Sequence, residues 1–195
     1  MTGNLNIDLH ICVTGHRFIG TRHALATSTR SVINEIMASY GDREIYLYSA
    51  LAEGSDQLVA SIAMETKAIK LVVPLPLPVD TYLQEFTTDE AKHAFWGLHK
   101  VATRVIFLPG QEEVTAAYDQ LAEYLVEHAD VLIALWNGEY SMKKGGAGAL
   151  VRSALQAMKP VYWIYCDNLN DGSQNGLSSI KEEGDIELLH PASQI

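Results

Sequence analysis

A three-layer α/β/α fold, with helices on both faces of a mainly parallel sheet, follows from three observations on the 195-residue chain. Short apolar runs rich in β-branched residues alternate with longer stretches of helical period, giving β-α-β-α-β across the first half. The strand candidates are apolar throughout rather than alternating, as strands covered on both faces must be. Glycine-bearing links stand at the strand-to-helix junctions. Together these predict a Rossmann-like arrangement.

The elements follow in order. Asp8 to Thr14 is a short apolar run stopped by Gly15, the first strand. From Arg22, the residues Leu25, Thr29, Val32, Ile33, Ile36 and Met37 recur at helical spacing, and Gly41 ends the helix. Glu44 to Ala50 is the second strand; Ser55 opens a helix carrying Leu58, Val59, Ile62 and Ala63; Ile69 to Pro74 is the third strand. The run Pro74-Leu75-Pro76-Leu77-Pro78 forbids helix and central strand and leaves the sheet as a stiff loop. Asp80 to Phe86 and Asp89 to Val101 are helical, and Arg104 to Leu108 is a short strand. Glu113 to His128 is a helix with Val114, Ala117, Leu121, Tyr124 and Leu125 inward. Asp130 to Leu135 is the fifth strand, Gly146 to Met158 a helix and Val161 to Tyr165 the sixth strand.

Residues 1–166 are therefore expected to form one Rossmann-like domain. Residues 167–195, rich in Asn, Gly, Ser, Asp and Glu, read as a loosely packed polar tail with a short element near Ile186 to Leu189. Right-handed connections, and the need for the glycine links after strands one and five to meet, predict the order 3-2-1-5-6, with the Arg104–Leu108 strand beside strand three.

Bulk properties narrow the function. A net charge of -10 argues against a broad grip on nucleic acid or a membrane surface, yet leaves room for a small anion held by local donors. No apolar run approaches the ~18 residues of a membrane span. The first residues lack the basic start and apolar segment of a secretory signal, so a cytoplasmic location is expected. Cys12 and Cys166 fall in strands far apart and read as buried thiols; no metal site and no cofactor are expected.

Three junctions carry candidate chemistry. In Thr14-Gly15-His16-Arg17, glycine lets the main chain approach an anion, Arg17 can bind it through two N–H groups, and His16 can donate or accept. In Glu53-Gly54-Ser55-Asp56, Ser55 suits an N-cap and Asp56 a first helical turn, or both touch ligand; Glu53 suits a ribose diol. The third junction, from Trp136 to Gly148, is the strongest. Lys143 and Lys144 precede Gly145, Gly146 and Gly148 at a helix start, the pattern of an anion cradle. It matches neither the dinucleotide fingerprint nor the P-loop. Trp136 stacks on a base or caps the core, and Asn137 borders it. Tyr82 and Phe86 form a lid or, more simply for Phe86, pack in the core.

In order and spacing, VTGHR, SALAEGSDQLVA, VVPLPLP…YLQEF and ADVLIALWNG…KGGAGALVRSALQAMKPVYWI resemble the SLOG superfamily. This is the Rossmann-like group that joins DprA/SMF-type domains with the LOG, or lysine-decarboxylase-like, proteins. The resemblance covers residues 8 to 165. It implies binding of nucleotides or nucleotide-derived, ADP-ribose-like ligands, with some relatives sensing such signals in bacterial immune and stress systems, and many forming homo-oligomers. The LOG branch hydrolyses the N-glycosidic bond of nucleoside monophosphates through a PGGxGTxxE motif. This chain matches the glycines at Gly145, Gly146 and Gly148, but has Ala149 in place of Thr and Arg152 in place of the catalytic Glu. An arginine cannot do the work of that carboxylate. The resemblance thus implies a ligand-sensing domain. The enzyme alternative, an N-glycosyl hydrolase or ribosyl transferase, recruits Glu53, Asp56 or Glu139 as its acidic group. A third reading keeps the fold as an interaction protein whose tail binds the partner.

Overall fold

The computed structural model describes residues 8–41, 43–108, 110, 113–140, 146–169 and 181–191. The chain runs β1 (Leu9–Gly15), α1 (Arg22–Tyr40), β2 (Ile45–Tyr48), α2 (Ser55–Ala63), β3 (Ile69–Leu75), α3 (Val79–Gln84), α4 (Asp89–Val101) and β4 (Arg104–Phe107). It continues through α5 (Val114–His128), β5 (Val131–Trp136), α6 (Ala147–Gln156), β6 (Val161–Tyr165) and β7 (Ile186–Leu189).

The sheet order is β4-β3-β2-β1-β5-β6-β7. The six strands predicted from the sequence lie in the predicted order, all parallel, and β1 pairs with β5 so that Gly15 lies opposite Leu135. The expected short element near Ile186 to Leu189 is a strand, antiparallel to β6. The fold is Rossmann-like.

Side-chain alternation splits the core into two layers. Leu9, Ile11 and Val13 of β1, with Val131, Ile133 and Leu135 of β5, pack in one cluster with the buried side chains of α1, α2 and α4. Cys12, Leu132, Ala134 and Trp136 point the other way, among Leu121 and Leu125 of α5 and Leu150, Val151 and Leu155 of α6. Each fully buried Leu, Ile or Val contributes roughly 1.5–3 kcal/mol. The apolar strand runs exist because both faces are covered.

Some expected boundaries shift. The second strand ends at Tyr48, earlier than its apolar run, because residues 49–54 turn out toward α2. Val114, expected inward, is 45% exposed at the start of α5. Tyr82 and Phe86 are both buried and pack edge-on with Phe95, so neither projects as a lid. Cys12 and Cys166 are free and buried, and burial pushes both thiols far above the ordinary range. Among the described residues no helix is long and apolar enough to cross a membrane.

Candidate functional site

The chain order reverses beside β1: β2, β3 and β4 build out on one side, β5 and β6 on the other. In such sheets the crevice beyond the carboxyl ends of the strands at that point is the usual place for a ligand. Here it is a cleft of about 880 Å³, lined by Thr14, Gly15, His16 and Arg17 after β1, Asp56 on α2, Tyr82 on α3, Tyr118 and Leu121 on α5, and Gly146, Ala147 and Leu150 around the start of α6.

The first two junctions lock onto each other. The His16 carbonyl accepts both the backbone N–H of Ser55 at 3.0 Å and its hydroxyl at 2.8 Å. A Cβ on Gly15 would lie 2.5 Å from Cβ of Ser55 and 2.6 Å from the Leu135 carbonyl oxygen. Gly54 has φ +91, and a Cβ there would meet the Arg17 carbonyl oxygen at 2.0 Å. Both glycines are therefore required by the approach of one turn to another. The third junction joins through His16, whose Nε2 accepts the Asn137 backbone N–H at 3.1 Å. That bond fixes the ring as the tautomer bearing its hydrogen on Nδ1. The Asn137 side-chain oxygen in turn accepts the Glu139 N–H.

The loop from β2 into α2 is strained and tightly held. Leu51, fully buried, has φ 58. A non-glycine residue there costs of the order of 1–3 kcal/mol and persists only where its surroundings dictate it. The Ser49 hydroxyl accepts the Leu51 N–H, and the Gln57 side-chain amide donates to the carbonyls of Leu51 and Ala91. This loop sets Asp56 at the cleft, only 8% exposed. Burial pushes its carboxyl up to about 7, against the opposing pull of the Ala52 and Ala50 backbones and the Arg17 charge. Among the described residues the contacts of the Arg17 guanidinium are long, 3.2 Å to the Tyr118 hydroxyl, 3.4 Å to the Glu85 carbonyl and 3.7 Å to the Glu85 carboxylate. The Tyr82 hydroxyl is sealed from solvent and has no hydrogen-bond partner among the described residues. Burial, and then the Asp56 charge, push that phenol well above its usual range.

Of the residues singled out from sequence, Thr14, Gly15, His16, Arg17, Asp56 and Gly146 come together in the cleft wall. Gly54, Ser55 and Asn137 meet that wall at His16 and Arg17, while Gly148 packs on Trp136 and the Glu139 carbonyl. Lys143, Lys144 and Gly145 lie outside the described residues. Trp136, 2% exposed, donates its indole N–H to the Glu139 carbonyl at 3.0 Å and packs beside Trp163, within the core. Gly148 passes so close to that indole that a Cβ would meet Nε1 at 3.2 Å. Glu139 is exposed. Arg152 lies over the Tyr140 ring, 5.0 Å from its centre, outside the cleft lining.

Glu53 is used within the fold. Its carboxylate accepts the Thr87 N–H, the Thr87 hydroxyl at 2.9 Å and the Thr88 hydroxyl at 3.1 Å, while Thr88 caps α4 through the Ala91 N–H. Exchanging Glu53 for Gln replaces one acceptor by an amide donor that faces donors. Glu53→Gln should cost about 1–3 kcal/mol in chemical denaturation without weakening ligand binding. An unchanged midpoint would remove the anchoring role.

Tyr118 was not singled out by the sequence, and Tyr82 only as a lid or core residue. Tyr118 sits one residue from the inward Ala117, and helical period alone does not distinguish a cleft wall from core. Among the described residues no group of three or more metal-ligating side chains occurs.

No protein-family model matches the chain, and neither does any curated protein. Among solved structures, the crystal structure of TM1055, a Northeast Structural Genomics Consortium target, is similar over 78% of this chain and 72% of that one, at 14% identity and a TM-score of 0.45. The family resemblance stated above rests on the motif residues themselves.

Proposed function

We propose that the chain is a ligand-binding domain for a nucleotide or a nucleotide-derived, ADP-ribose-like molecule, seated over the carboxyl ends of β1 and β5. One observation carries the reading: Arg17 and the first residues of α6 border the same cleft. The α6 N-terminus has no side-chain cap and no acidic residue in its first turn. Its N–H groups and partial positive charge suit a phosphate. The long contacts of Arg17 leave it weakly committed, and a phosphate offers it shorter, charge-assisted bonds. Leu121, Leu125 and Leu150 supply an apolar wall of the kind a base requires.

The test is a thermal-shift panel of AMP, GMP, CMP, UMP, ADP and ADP-ribose. At least one member should raise the melting temperature, and Arg17→Ala should weaken its binding about tenfold or more. No shift with any member at millimolar concentration would overturn the reading. A second reading, N-glycosyl hydrolysis, is favoured by one feature: Asp56 keeps its proton near neutral pH beside the cleft, as a general acid must. The same incubations, followed for release of free base, decide between binding and cleavage.

A further inference from the structure

A second cavity lies on the other half of the sheet. The helices α1, α2 and α4 pack on one face of β1 to β4, as right-handed crossovers require. On the opposite face α5 lies over β1 and α6 over β5, so β2, β3 and β4 are only partly covered there. On that face the register sets Tyr48, Val72 and Arg104 in one row, with His10 and Tyr46 paired one step nearer the amino ends. A cavity of about 370 Å³ opens over them, bordered also by Asp8 and Thr103. His10 and Gly15 are five residues apart on β1, about 17 Å at the usual rise, so this cavity is distinct from the cleft.

Its lining is not what burial of a parallel sheet demands. The other face of the same strands is aliphatic, with Leu9, Ile11, Ile45, Leu47, Leu71 and Val73 all buried. This face presents two phenols, an imidazole, a guanidinium and a carboxylate. The rings form a wall: His10 lies 5.6 Å from Tyr46 and 5.3 Å from Tyr48, and Tyr48 backs onto Tyr124 and His128 of α5. The two charges are hardly used by the fold. Among the described residues the Arg104 guanidinium makes one hydrogen bond, a long one of 3.4 Å to the Tyr48 hydroxyl. The Asp8 carboxylate makes no hydrogen bond or ion pair among them. The two line one cavity without pairing with each other. Charges nearby are already matched, since Lys70 pairs with Glu44 at 2.8 Å and Asp130 accepts the His10 N–H.

We propose that this cavity binds a small zwitterion of the amino-acid class, one with an aromatic or aliphatic side chain. Arg104 takes the carboxylate through its paired N–H groups. Asp8 takes the ammonium group, and the phenol rings add a cation–π attraction. The side chain rests on Val72 and the Tyr48 ring, the buried floor. A simple anion would face the Asp8 charge and a simple cation the Arg104 charge, whereas a molecule carrying both signs satisfies the two together. The volume suits a ligand of this size, at the small end of the roughly 300–1,000 Å³ range of small-molecule sites. The proposal does not depend on the nucleotide reading of the cleft.

The experiment is calorimetric titration of the folded, full-length chain with L-phenylalanine, L-leucine and L-methionine. Each is run beside the acid that lacks its ammonium group and the amine that lacks its carboxylate. At least one amino acid should bind with millimolar affinity or better, about tenfold or more tightly than either of its single-charge analogues. Arg104→Gln and Asp8→Asn should each weaken that binding about tenfold and leave the melting temperature of the free chain near that of wild type. No binding of any of the three amino acids overturns the proposal. So does an analogue that binds as tightly as its parent, or an affinity unchanged in either variant. A lowered melting temperature in either variant would show that its charge serves the fold, and would overturn the assignment as well.

Discussion

Gly54→Ala should lower the melting temperature by about 10 °C or more and disorder the cleft rim. Gly54 has φ +91, where only glycine sits at little cost. A methyl group there would lie 2.0 Å from the Arg17 carbonyl oxygen and 2.7 Å from that of His16. These are backbone atoms, and they cannot swing aside as a side-chain tip would. Overpacking and the forced dihedral together cost about 3–5 kcal/mol. For a domain of this size each kcal/mol is worth roughly 2–4 °C. The same substitution at Gly97 is the control, since a Cβ there meets nothing within 4 Å and the residue lies inside α4. It should be neutral or stabilising by about 0.5–1 kcal/mol. Equal, small effects at both positions in scanning calorimetry would show that the two turns do not need their close approach.

Asp56→Asn should remove a pH dependence of stability between about pH 4 and pH 7. In the unfolded chain this carboxyl ionises near its ordinary value of about 4. In the folded chain burial holds it at about 7, with Arg17 and the backbones of Ala52 and Ala50 opposing, and Tyr82 in electrostatic reach. Below pH 4 both states are protonated and the group contributes nothing to the difference. As the pH rises from 4 to 7, only the unfolded state gains by releasing the proton, so the folded state loses ground. Above 7 the loss is complete, up to about 4 kcal/mol. Urea unfolding of wild type and Asp56→Asn across pH 4.5 to 8.5 reads this directly. The wild type should fall behind the variant as pH rises and then hold a constant gap. A gap that does not change with pH would place the ionised carboxylate comfortably in the fold.

The architecture was legible because it depends on local pattern and on general rules of handedness. Apolar runs marked the strands, and the need to bring two glycine links together fixed β1 beside β5. What was not legible depends on partners far away in the chain. After β2 the sequence offers two carboxylates; capping logic suits Asp56 to the helix start with ligand contact equally open, and leaves Glu53 for a ligand. Asp56 does lie in the first turn of α2, and it borders the cleft as well, while Thr87 and Thr88, 34 and 35 residues on, arrive to hold Glu53. Trp136 ends a strand at the mouth, yet it points to the face of Leu132 and Ala134, which α6 covers. Its alternation with those two residues contained that answer. Tyr82 could not be placed, since nothing local indicates that a proline-led short helix folds its aromatic ring inward beside an acid on α2.

The contrast in bond lengths around the cleft separates its stiff parts from its compliant ones. The turns after β1, β2 and β5 are riveted through the main chain of His16 and its imidazole, at 2.8 to 3.1 Å. Contacts from Arg17 to α5 and to the residue after α3 stretch from 3.2 to 3.7 Å. A guest that recruits Arg17 would therefore leave the rivets in place and slacken its ties to Glu85 and Tyr118. Any message that occupancy sends outward would leave along the α3 and α5 flank, with the sheet serving as the fixed anvil.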